Sequence, residues 1–420
     1  MPILLDEDLN IVLPKMHRVK QVFEKEELND IRGAIDAEAK KESIISIIKP
    51  GQKVAVAVGS RGIKNLQEIV KLTIDKIKKM GANPYIVSAM GSHGGGTEEG
   101  QREILYGYGI TEEYMQVPII TKTDVVHLGK TKKGIDVYFD KTAYEADVVV
   151  PINRIKLHTD FVADIQSGIC KMLVIGLGNQ IGCSAIHEEE FDNFGEIIKE
   201  SASIIMEKVQ VGFGVAILEN AYDRTSKIEF IPAKELISRE IELVKIARKN
   251  MPTLMIPNID ILIVQEIGKN ISGAGYDPNI LGKSYILKEF VLEVPQINKM
   301  ILLNISKESH GNGIGMGIFD ITTRKVFEQL DYESIYANGI ATKCIDDCKI
   351  PLIAENEEEA IKIAIKILRG VDKNNLKIVR IKNTLELEYI EVSDALLEYV
   401  KNDKNIIRVD PNDSAIETIS

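Results

Sequence analysis

The first half of the chain alternates short apolar runs with amphipathic segments. Apolar, β-branched runs predict strands at residues 53–58, 84–89 and 146–151, and apolar residues with helical spacing predict helices at 65–80 and 98–106. A strand, a crossover helix and a further strand are typical of a parallel sheet with right-handed connections. This half is therefore predicted to be a doubly wound, mostly parallel α/β sheet.

A second α/β pattern begins after residue 250. Residues 250–258 read NMPTLMIPN, and two prolines after a predicted helix at 234–248 favour a domain boundary there. Strands are then predicted at 259–264, 300–303 and 377–381, and helices at 332–344 and 357–368. The chain is predicted to form two α/β domains, at residues 1–250 and 258–420, with an active site in the cleft between them.

Charge and composition narrow the classes of function. The 420 residues include 63 acidic and 52 basic side chains, and a net charge of -11 disfavours nucleic-acid and anionic membrane partners. The acidic N-terminus does not read as a signal peptide, and no apolar run is long enough to span a bilayer. The four cysteines form no Cys-x-x-Cys pair, which indicates a reducing compartment. We therefore expect a cytoplasmic protein.

Two of the six histidines follow predicted strands. His93 lies in the glycine-rich loop 91–97, and His158 lies a few residues after the strand at 146–151. Ligands of open α/β sheets bind at the carboxyl ends of the strands, where both histidines are expected. The alternative is a pair of surface histidines with no chemical role.

Lys171 interrupts an uncharged stretch that runs from residue 166 to residue 186. Because burying an unpaired ammonium is costly, this lysine either reaches the surface along its aliphatic stem or is held in a site. A buried lysine loses its proton readily and then acts as a nucleophile or attachment point. The pattern alone leaves both interpretations open.

Glycine-rich loops supply the remaining candidates. Loop 91–97 could present backbone N–H groups to a phosphate, and Arg61 could add a bidentate contact, although neither sequence matches a nucleotide-binding motif. In the second half, the loops at 265–273 and 309–317 follow predicted strands, and Lys269 is the best candidate there to bind an anion. Ordinary turn chemistry is the alternative for all three loops.

Taken in order, these segments resemble the nickel-pincer lactate racemases and their wider group of α-hydroxyacid racemases and epimerases. The resemblance covers most of the chain and rests on SRG at 60–62, GSH at 91–93, KLH at 156–158, GICK at 168–171, residues 176–187, and EIGKN at 266–270. The sequence departs from the lactate racemase pattern at residues 58–60 and at Gly94. These departures leave the identity of the hydroxy acid open.

The resemblance implies an isomerase that inverts the 2-hydroxy carbon of a hydroxy acid by hydride transfer. Its cofactor would be a nickel-pincer nucleotide, a mononucleotide with thioacid groups that holds nickel. By the resemblance Lys171 would be its tether, His187 the nickel ligand, and His93 and His158 the acid/base pair. The same resemblance gives cofactor-binding roles to Ser60, Arg61, Gly91, Ser92 and Gly94, and substrate-binding roles to Lys269 and Glu266.

The implied partners are a small 2-hydroxy acid and cofactor-maturation enzymes, with no nucleic acid and no membrane; the sequence is compatible with an oligomer. By the same resemblance, residues 1–250 would bind the cofactor and carry the catalytic residues, and residues 258–420 would close on the substrate.

Three rival functions stay open at this point. An NAD(P)-dependent dehydrogenase would share the strand-end histidine but calls for a Gly-x-Gly-x-x-Gly turn that the sequence lacks. A metal-dependent hydrolase would use His93, His158 and His187 as zinc ligands and would leave Lys171 unexplained. A non-catalytic nucleotide binder needs no acid/base pair.

Overall fold

The apolar runs form two large sheets in two separate units. The computed structural model describes residues 4–60 and 62–409. One unit is Glu24–Met251, and the other joins the described residues up to Phe23 to those from Pro252 onward. The α/β class predicted from the sequence is confirmed.

Strands in the described residues are, in chain order, β1 Met16–Gln21, β2 Lys53–Val58, β3 Asn83–Ser88, β4 Ile119–Ile120, β5 Val125–Lys130, β6 Asp136–Asp140, β7 Val148–Arg154, β8 Phe213–Glu219, β9 Thr225–Pro232, β10 Asn258–Val264, β11 Gln296–Leu302, β12 Ile321–Thr323, β13 Leu352–Ala354, β14 Ile378–Ile381, β15 Tyr389–Ser393 and β16 Ile406–Arg408.

The α-helices of the same residues are α1 Asp6–Leu9, α2 Ile31–Ala39, α3 Glu42–Ile45, α4 Leu66–Lys79, α5 Glu98–Gly107, α6 Glu112–Met115, α7 Lys141–Tyr144, α8 Ile169–Lys171, α9 Asn179–His187, α10 Phe194–Lys208, α11 Leu236–Asn250, α12 Pro278–Leu281, α13 Arg324–Glu328, α14 Tyr332–Ala341, α15 Glu357–Ile367 and α16 Leu397–Asn402. A π-helical turn, Met172–Gly176, separates α8 from α9.

A six-stranded sheet with the order β4-β3-β2-β7-β8-β9 forms the centre of the Glu24–Met251 unit. Strand β2 pairs in parallel with β3 and β7, as the alternating pattern predicts, and β7 pairs in parallel with β8. Every residue of β2 after Lys53 is buried, which is typical of a parallel strand covered on both faces. The antiparallel pairing of β8 with β9 at the sheet edge was not predicted.

The predicted helix at 65–80 is present as α4, and its apolar stripe packs into the core of this unit. Leu66, Ile69, Val70, Ile74 and Ile77 are buried together with the alternate valines of β2. The helix thus covers one face of the sheet and fixes the strand that leads to Ser60.

The second unit contains an eight-stranded sheet with the order β13-β12-β11-β10-β14-β15-β1-β16. Strand β10 pairs in parallel with β11 and β14, whereas β1 pairs antiparallel with β15 and β16. The first strand of the chain therefore belongs with the C-terminal residues rather than with the predicted domain at 1–250. Strand β1 is mostly polar, MHRVKQ, and only Val19 and Gln21 are buried, so its pattern gave little signal.

No single helix in the described parts of the chain is long and apolar enough to cross a membrane. The segments Ile169–Gly176 and Asn179–His187 meet that test only as a pair, and they are bent by 106° at their junction.

Candidate active site

Three neighbouring strands deliver the candidate residues to one edge of the first sheet. Ser60 follows β2, the loop with His93 follows β3, and His158 follows β7. Because β3, β2 and β7 are adjacent and parallel, their carboxyl ends share that edge, where ligands of open α/β sheets bind. Arg61, the predicted phosphate contact, lies outside the described residues.

His93 is joined to the neighbouring strand end through Ser60. The Ser60 hydroxyl lies 2.5 Å from His93 Nδ1, and the Tyr108 hydroxyl donates a 2.9 Å hydrogen bond to the Ser60 carbonyl. Both candidate residues are half-buried. The contact orients the imidazole, because a ring nitrogen held by one partner fixes the direction of the other nitrogen.

The glycine loop adopts backbone conformations that other residues rarely take. Gly91 and Gly94 have φ angles of 59° and 64°. A Cβ on Gly94 would lie 2.5 Å from the backbone of Gly100, and one on Gly91 would lie 3.1 Å from the Ile175 carbonyl oxygen. The Gly91 N–H donates to the Gly176 carbonyl at 3.0 Å, so the loop packs directly against the π-helical turn.

The start of helix α5 is less open to an anion than the sequence indicates. The Thr97 side chain caps the helix by accepting a 3.1 Å hydrogen bond from the Gly100 N–H. Glu98 and Glu99 place negative charge in the first turn, where a bound phosphate would need positive potential. A phosphate at this loop would depend on Ser60, Ser92 and the loop backbone rather than on the helix end.

His158 and Lys171 are brought together although 13 residues separate them. The Lys171 Nζ lies 2.6 Å from His158 Nε2. The other ring nitrogen, Nδ1, accepts a 3.1 Å hydrogen bond from the backbone N–H of Asp160. Gln166 holds the histidine backbone by accepting its N–H at 2.8 Å. Sequence reasoning proposed both residues but did not predict this contact.

Lys171 stands at the end of the short helix α8, whose start is held by a buried carboxyl group. The Glu240 carboxylate, on α11, accepts a 2.9 Å hydrogen bond from the Cys170 N–H. Burial raises the pKa of Glu240 to about 7, against the hydrogen bonds from the backbone, which lower it. Asn153, from the end of β7, donates to the Gly168 carbonyl at 2.8 Å. These two contacts fix the backbone that aims Lys171.

His187 ends helix α9 and keeps one ring nitrogen available for a ligand. Its Nδ1 lies 2.7 Å from the Cys183 carbonyl oxygen, which can only accept, so Nδ1 carries the proton. Nε2 of the neutral ring then presents a lone pair, as metal-binding histidines do. Burial lowers the pKa of His187, but its contacts with Cys183 outweigh burial and raise it; conversely, they lower the pKa of the Cys183 thiol against burial.

Phenylalanine rings connect the two histidines that flank Lys171 in the sequence. His158 stacks on Phe161 at 4.4 Å, and His187 meets the edge of Phe194 at 5.3 Å. Phe161 and Phe194 lie 5.5 Å apart. Because Phe161 and Phe194 are buried, these rings give both imidazoles an apolar wall.

The two substrate-binding candidates, Lys269 and Glu266, lie in the other unit, after β10. The Lys269 ammonium donates to the Gly273 carbonyl at 2.6 Å and to Asn338 Oδ1 at 2.7 Å. Glu266 accepts from the Asn383 amide at 3.1 Å. Their place in a cleft between the units stays a prediction.

Glu240, Gln166 and Asn153 were missed by sequence reasoning. One signal for Glu240 was present, because it shares the buried face of α11 with Leu236, Leu243, Val244 and Ala247. An acidic residue inside an apolar stripe is unusual unless it has a partner. Gln166 and Asn153 gave no such signal.

Comparison with known proteins shows which family the residues of this site resemble. Residues 3–196 match the family described as "Lactate racemase N-terminal domain". This part, slightly less than half of the chain, is similar to that family. The match includes His93, His158, Lys171 and His187. It confirms the resemblance inferred from the sequence and the assignment of the chain to the racemases, a class of isomerases.

A solved structure has the same fold as this lactate racemase-like chain. It is described as "Structure of the lactate racemase apoprotein from Thermoanaerobacterium thermosaccharolyticum", with 14% sequence identity and a TM-score of 0.56. The alignment covers 88% of this chain and 99% of that one. Among curated proteins, no sequence matches significantly.

His187 Nε2 can supply one protein nitrogen to a metal ion, as the nickel ligand implied by the resemblance requires. Within residues 4–60 and 62–409, no three His, Cys, Asp or Glu side chains form a group that could hold a metal ion. The three-histidine zinc centre of a hydrolase therefore has no support there. A cofactor that brings its own sulfur and carbon ligands requires only one protein nitrogen, such as His187 Nε2.

Proposed function

We propose that the chain is a 2-hydroxy acid racemase or epimerase that works with a nickel-pincer nucleotide tethered to Lys171. The observation that carries this proposal is the contact between Lys171 Nζ and His158 Nε2 at 2.6 Å. It joins an attachment point to an acid/base group within the lactate racemase N-terminal domain. His187 would bind the nickel through Nε2, and Ser60, Arg61, Gly91, Ser92 and Gly94 would hold the nucleotide phosphate.

When bound, the cofactor would supply reversible hydride transfer at carbon 2 of the substrate. The chain's own task is then proton transfer and orientation. His93 and His158 would each serve one face of the substrate, one removing the hydroxyl proton and the other supplying it after inversion. An imidazole can both accept and release a proton near neutral pH, which suits both directions.

The held orientation of each histidine supports this division of work. Ser60 contacts Nδ1 of His93, and the Asp160 N–H contacts Nδ1 of His158, so in both rings Nε2 is the nitrogen for exchange with a ligand. The apolar wall formed by Phe161 and Phe194 would exclude water beside the reacting carbon. Lys269, with Glu266, would bind the substrate carboxylate.

The test uses protein co-produced with pincer-nucleotide maturation enzymes and enantiopure 2-hydroxy acids labelled with deuterium at carbon 2. We expect inversion of at least one acid with the deuterium retained at carbon 2. Loss of deuterium to water in step with inversion would contradict hydride transfer. Absence of inversion for every acid, in protein that has bound nickel, would contradict the racemase assignment. Protein made without maturation enzymes is the matched control.

A further inference from the structure

Both nitrogens of the His158 ring have close partners, and these partners determine which nitrogen carries the proton. Nδ1 lies 3.1 Å from the backbone nitrogen of Asp160, and a backbone N–H can only donate. Nδ1 therefore presents its lone pair. A neutral imidazole with a lone pair on Nδ1 carries its hydrogen on Nε2. The nitrogen that faces Lys171 is thus an N–H donor.

The short contact between Nε2 and Lys171 Nζ then requires an acceptor on the lysine. An ammonium has three hydrogens and no lone pair, whereas a neutral amine can accept. The reverse arrangement, with an ammonium donating to Nε2, would put a hydrogen on Nδ1 directly against the N–H of Asp160. A doubly protonated ring would make the same clash and would also repel an ammonium 2.6 Å away.

The charged and titratable groups near His158 and Lys171 have opposing effects on the protonation of the pair. The Asp160 carboxylate lies 3.9 Å from His158 Nδ1 and favours a positive ring, but the backbone N–H of the same residue is closer. On the lysine side, His187 is near enough to interact electrostatically with Lys171. The buried Glu240 carboxyl and Cys170 thiol face the start of α8, where Glu240 accepts the Cys170 backbone N–H.

We propose that, before any cofactor is attached, His158 holds Lys171 as a neutral amine and so makes it a site primed for acylation. The identity of the natural acyl group rests on the function proposed above. In such a step the amine nitrogen forms a bond to the carbonyl carbon of an activated acyl group. The bond to the leaving group breaks with its electron pair, and the surplus amine proton passes to solvent. His158 thus acts on the chain before it acts on substrate.

The experiment measures acetylation of the unloaded full-length chain with an N-hydroxysuccinimide ester of acetic acid between pH 6.5 and pH 10. Peptide mass spectrometry gives the rate at each lysine. The key variant is His158→Phe, which removes the donor but keeps an aromatic ring on Phe161. We expect acetylation of Lys171 to slow by at least tenfold at pH 7, because a lysine amine without this hydrogen-bond donor is almost entirely ammonium at that pH. At pH 10 the two rates should agree within about fourfold, since about a third of an ordinary lysine amine is then neutral.

Three controls keep the result specific. His158→Gln retains an N–H donor and should keep most of the reactivity at pH 7. His127→Phe removes an exposed histidine paired with Asp136 and should leave Lys171 unchanged. Lys208 donates to the Leu128 carbonyl, away from His158, and its rate at pH 7 should be the same in every variant. Near-UV circular dichroism confirms that each variant is folded.

A His158→Phe variant that reacts as fast as wild type at pH 7 would overturn the proposal. So would a loss of equal size at pH 7 and pH 10, which would mean that His158 controls access rather than protonation. The outcome is independent of the proposed function, because no nickel or maturation enzyme is used. A positive result here with no inversion of any hydroxy acid would reject the racemase alone.

Discussion

Two lysines follow strand ends in the two units, and their partners differ in kind. Lys171 contacts an imidazole N–H, whereas Lys269 contacts two oxygens, the Gly273 carbonyl and Asn338 Oδ1. Carbonyl oxygens only accept, so Lys269 donates both hydrogen bonds, an arrangement that suits an ammonium. The arrangement around Lys171 calls for an acceptor, which a neutral amine provides. The same residue type is thus set up for attachment in one unit and for binding an anion in the other.

The comparison shows that the partner, rather than burial alone, decides what a lysine can do. Both side chains are half-buried. A cation held by neutral oxygens keeps its charge for a carboxylate, and an amine that accepts an N–H hydrogen bond stays uncharged, so its lone pair can form a bond once that contact opens. The predictions below separate these two roles.

The largest effect is expected for Lys171→Met in protein co-produced with maturation enzymes. Methionine preserves the length and apolar stem but cannot form the covalent link, so inversion should fall to background. The assay is chiral chromatography of the 2-hydroxy acid. Lys208→Met, in the same unit, is the matched control and should retain activity. Appreciable turnover in Lys171→Met would reject the tether.

Loss of either acid/base histidine should be nearly as severe. For His93→Ala or His158→Ala we expect a drop of about 10²–10⁴ in turnover in both directions, because each inversion uses both faces of the substrate. Initial rates from each enantiomer give the measurement. If one variant racemises at the wild-type rate, that histidine has only a structural role.

Lys269→Met makes the same substitution in the other lysine and should act differently. Loss of a charged hydrogen bond of about 1.5–3 kcal/mol predicts a KM about tenfold to a hundredfold higher. The adduct on Lys171 and most of kcat should remain. Steady-state kinetics beside intact-mass analysis separate the two parameters. A normal KM, or a missing adduct, would contradict the role given to Lys269.

The smallest expected effect is on the free energy of unfolding, and it comes from Glu240, which holds the helix that carries Lys171. The pKa of Glu240 is raised from 4.5 to about 7, so the folded state binds the proton more tightly than the unfolded state. Stability should therefore fall by about 3 kcal/mol as pH rises from 4.5 to 7, and then stay level with respect to this group. Glu240→Gln should remove that fall.

Urea unfolding at pH 5 and pH 7.5 measures the Glu240 prediction. Glu242→Gln, on the same helix and exposed, should leave the pH dependence close to that of wild type. An unchanged slope in Glu240→Gln would show that Glu240 does not titrate in this range.

Many of the strands and helices can be predicted from the sequence, because the patterns that indicate them are local. Strand β2 has the predicted bounds, and α4 lies within one residue of its predicted ends, because β-branched runs and helical spacing fix such elements. The polar strand β1 gave no such signal, and its pairing with β15 depends on residues about 370 positions away.

The same distinction applies to the site, where the sequence indicates the candidate residues but not the contacts between them. Candidate residues were found from their places after strands and in glycine loops. Their contacts were not, because the meeting of His158 with Lys171 depends on the course of the loop between β7 and α8. That loop is held by Asn153, at the end of β7, and by Glu240, which lies on α11. Protonation states follow from such contacts and cannot be read from sequence spacing.

The most direct test of the central claim is the mass of the peptide that contains Lys171, measured with the nickel content of the same protein after co-production with maturation enzymes. The account predicts a nucleotide-sized adduct on Lys171 and on no other lysine, with nickel in proportion to the adduct. An unmodified Lys171, in a preparation where the same enzymes load a known lactate racemase, would contradict it.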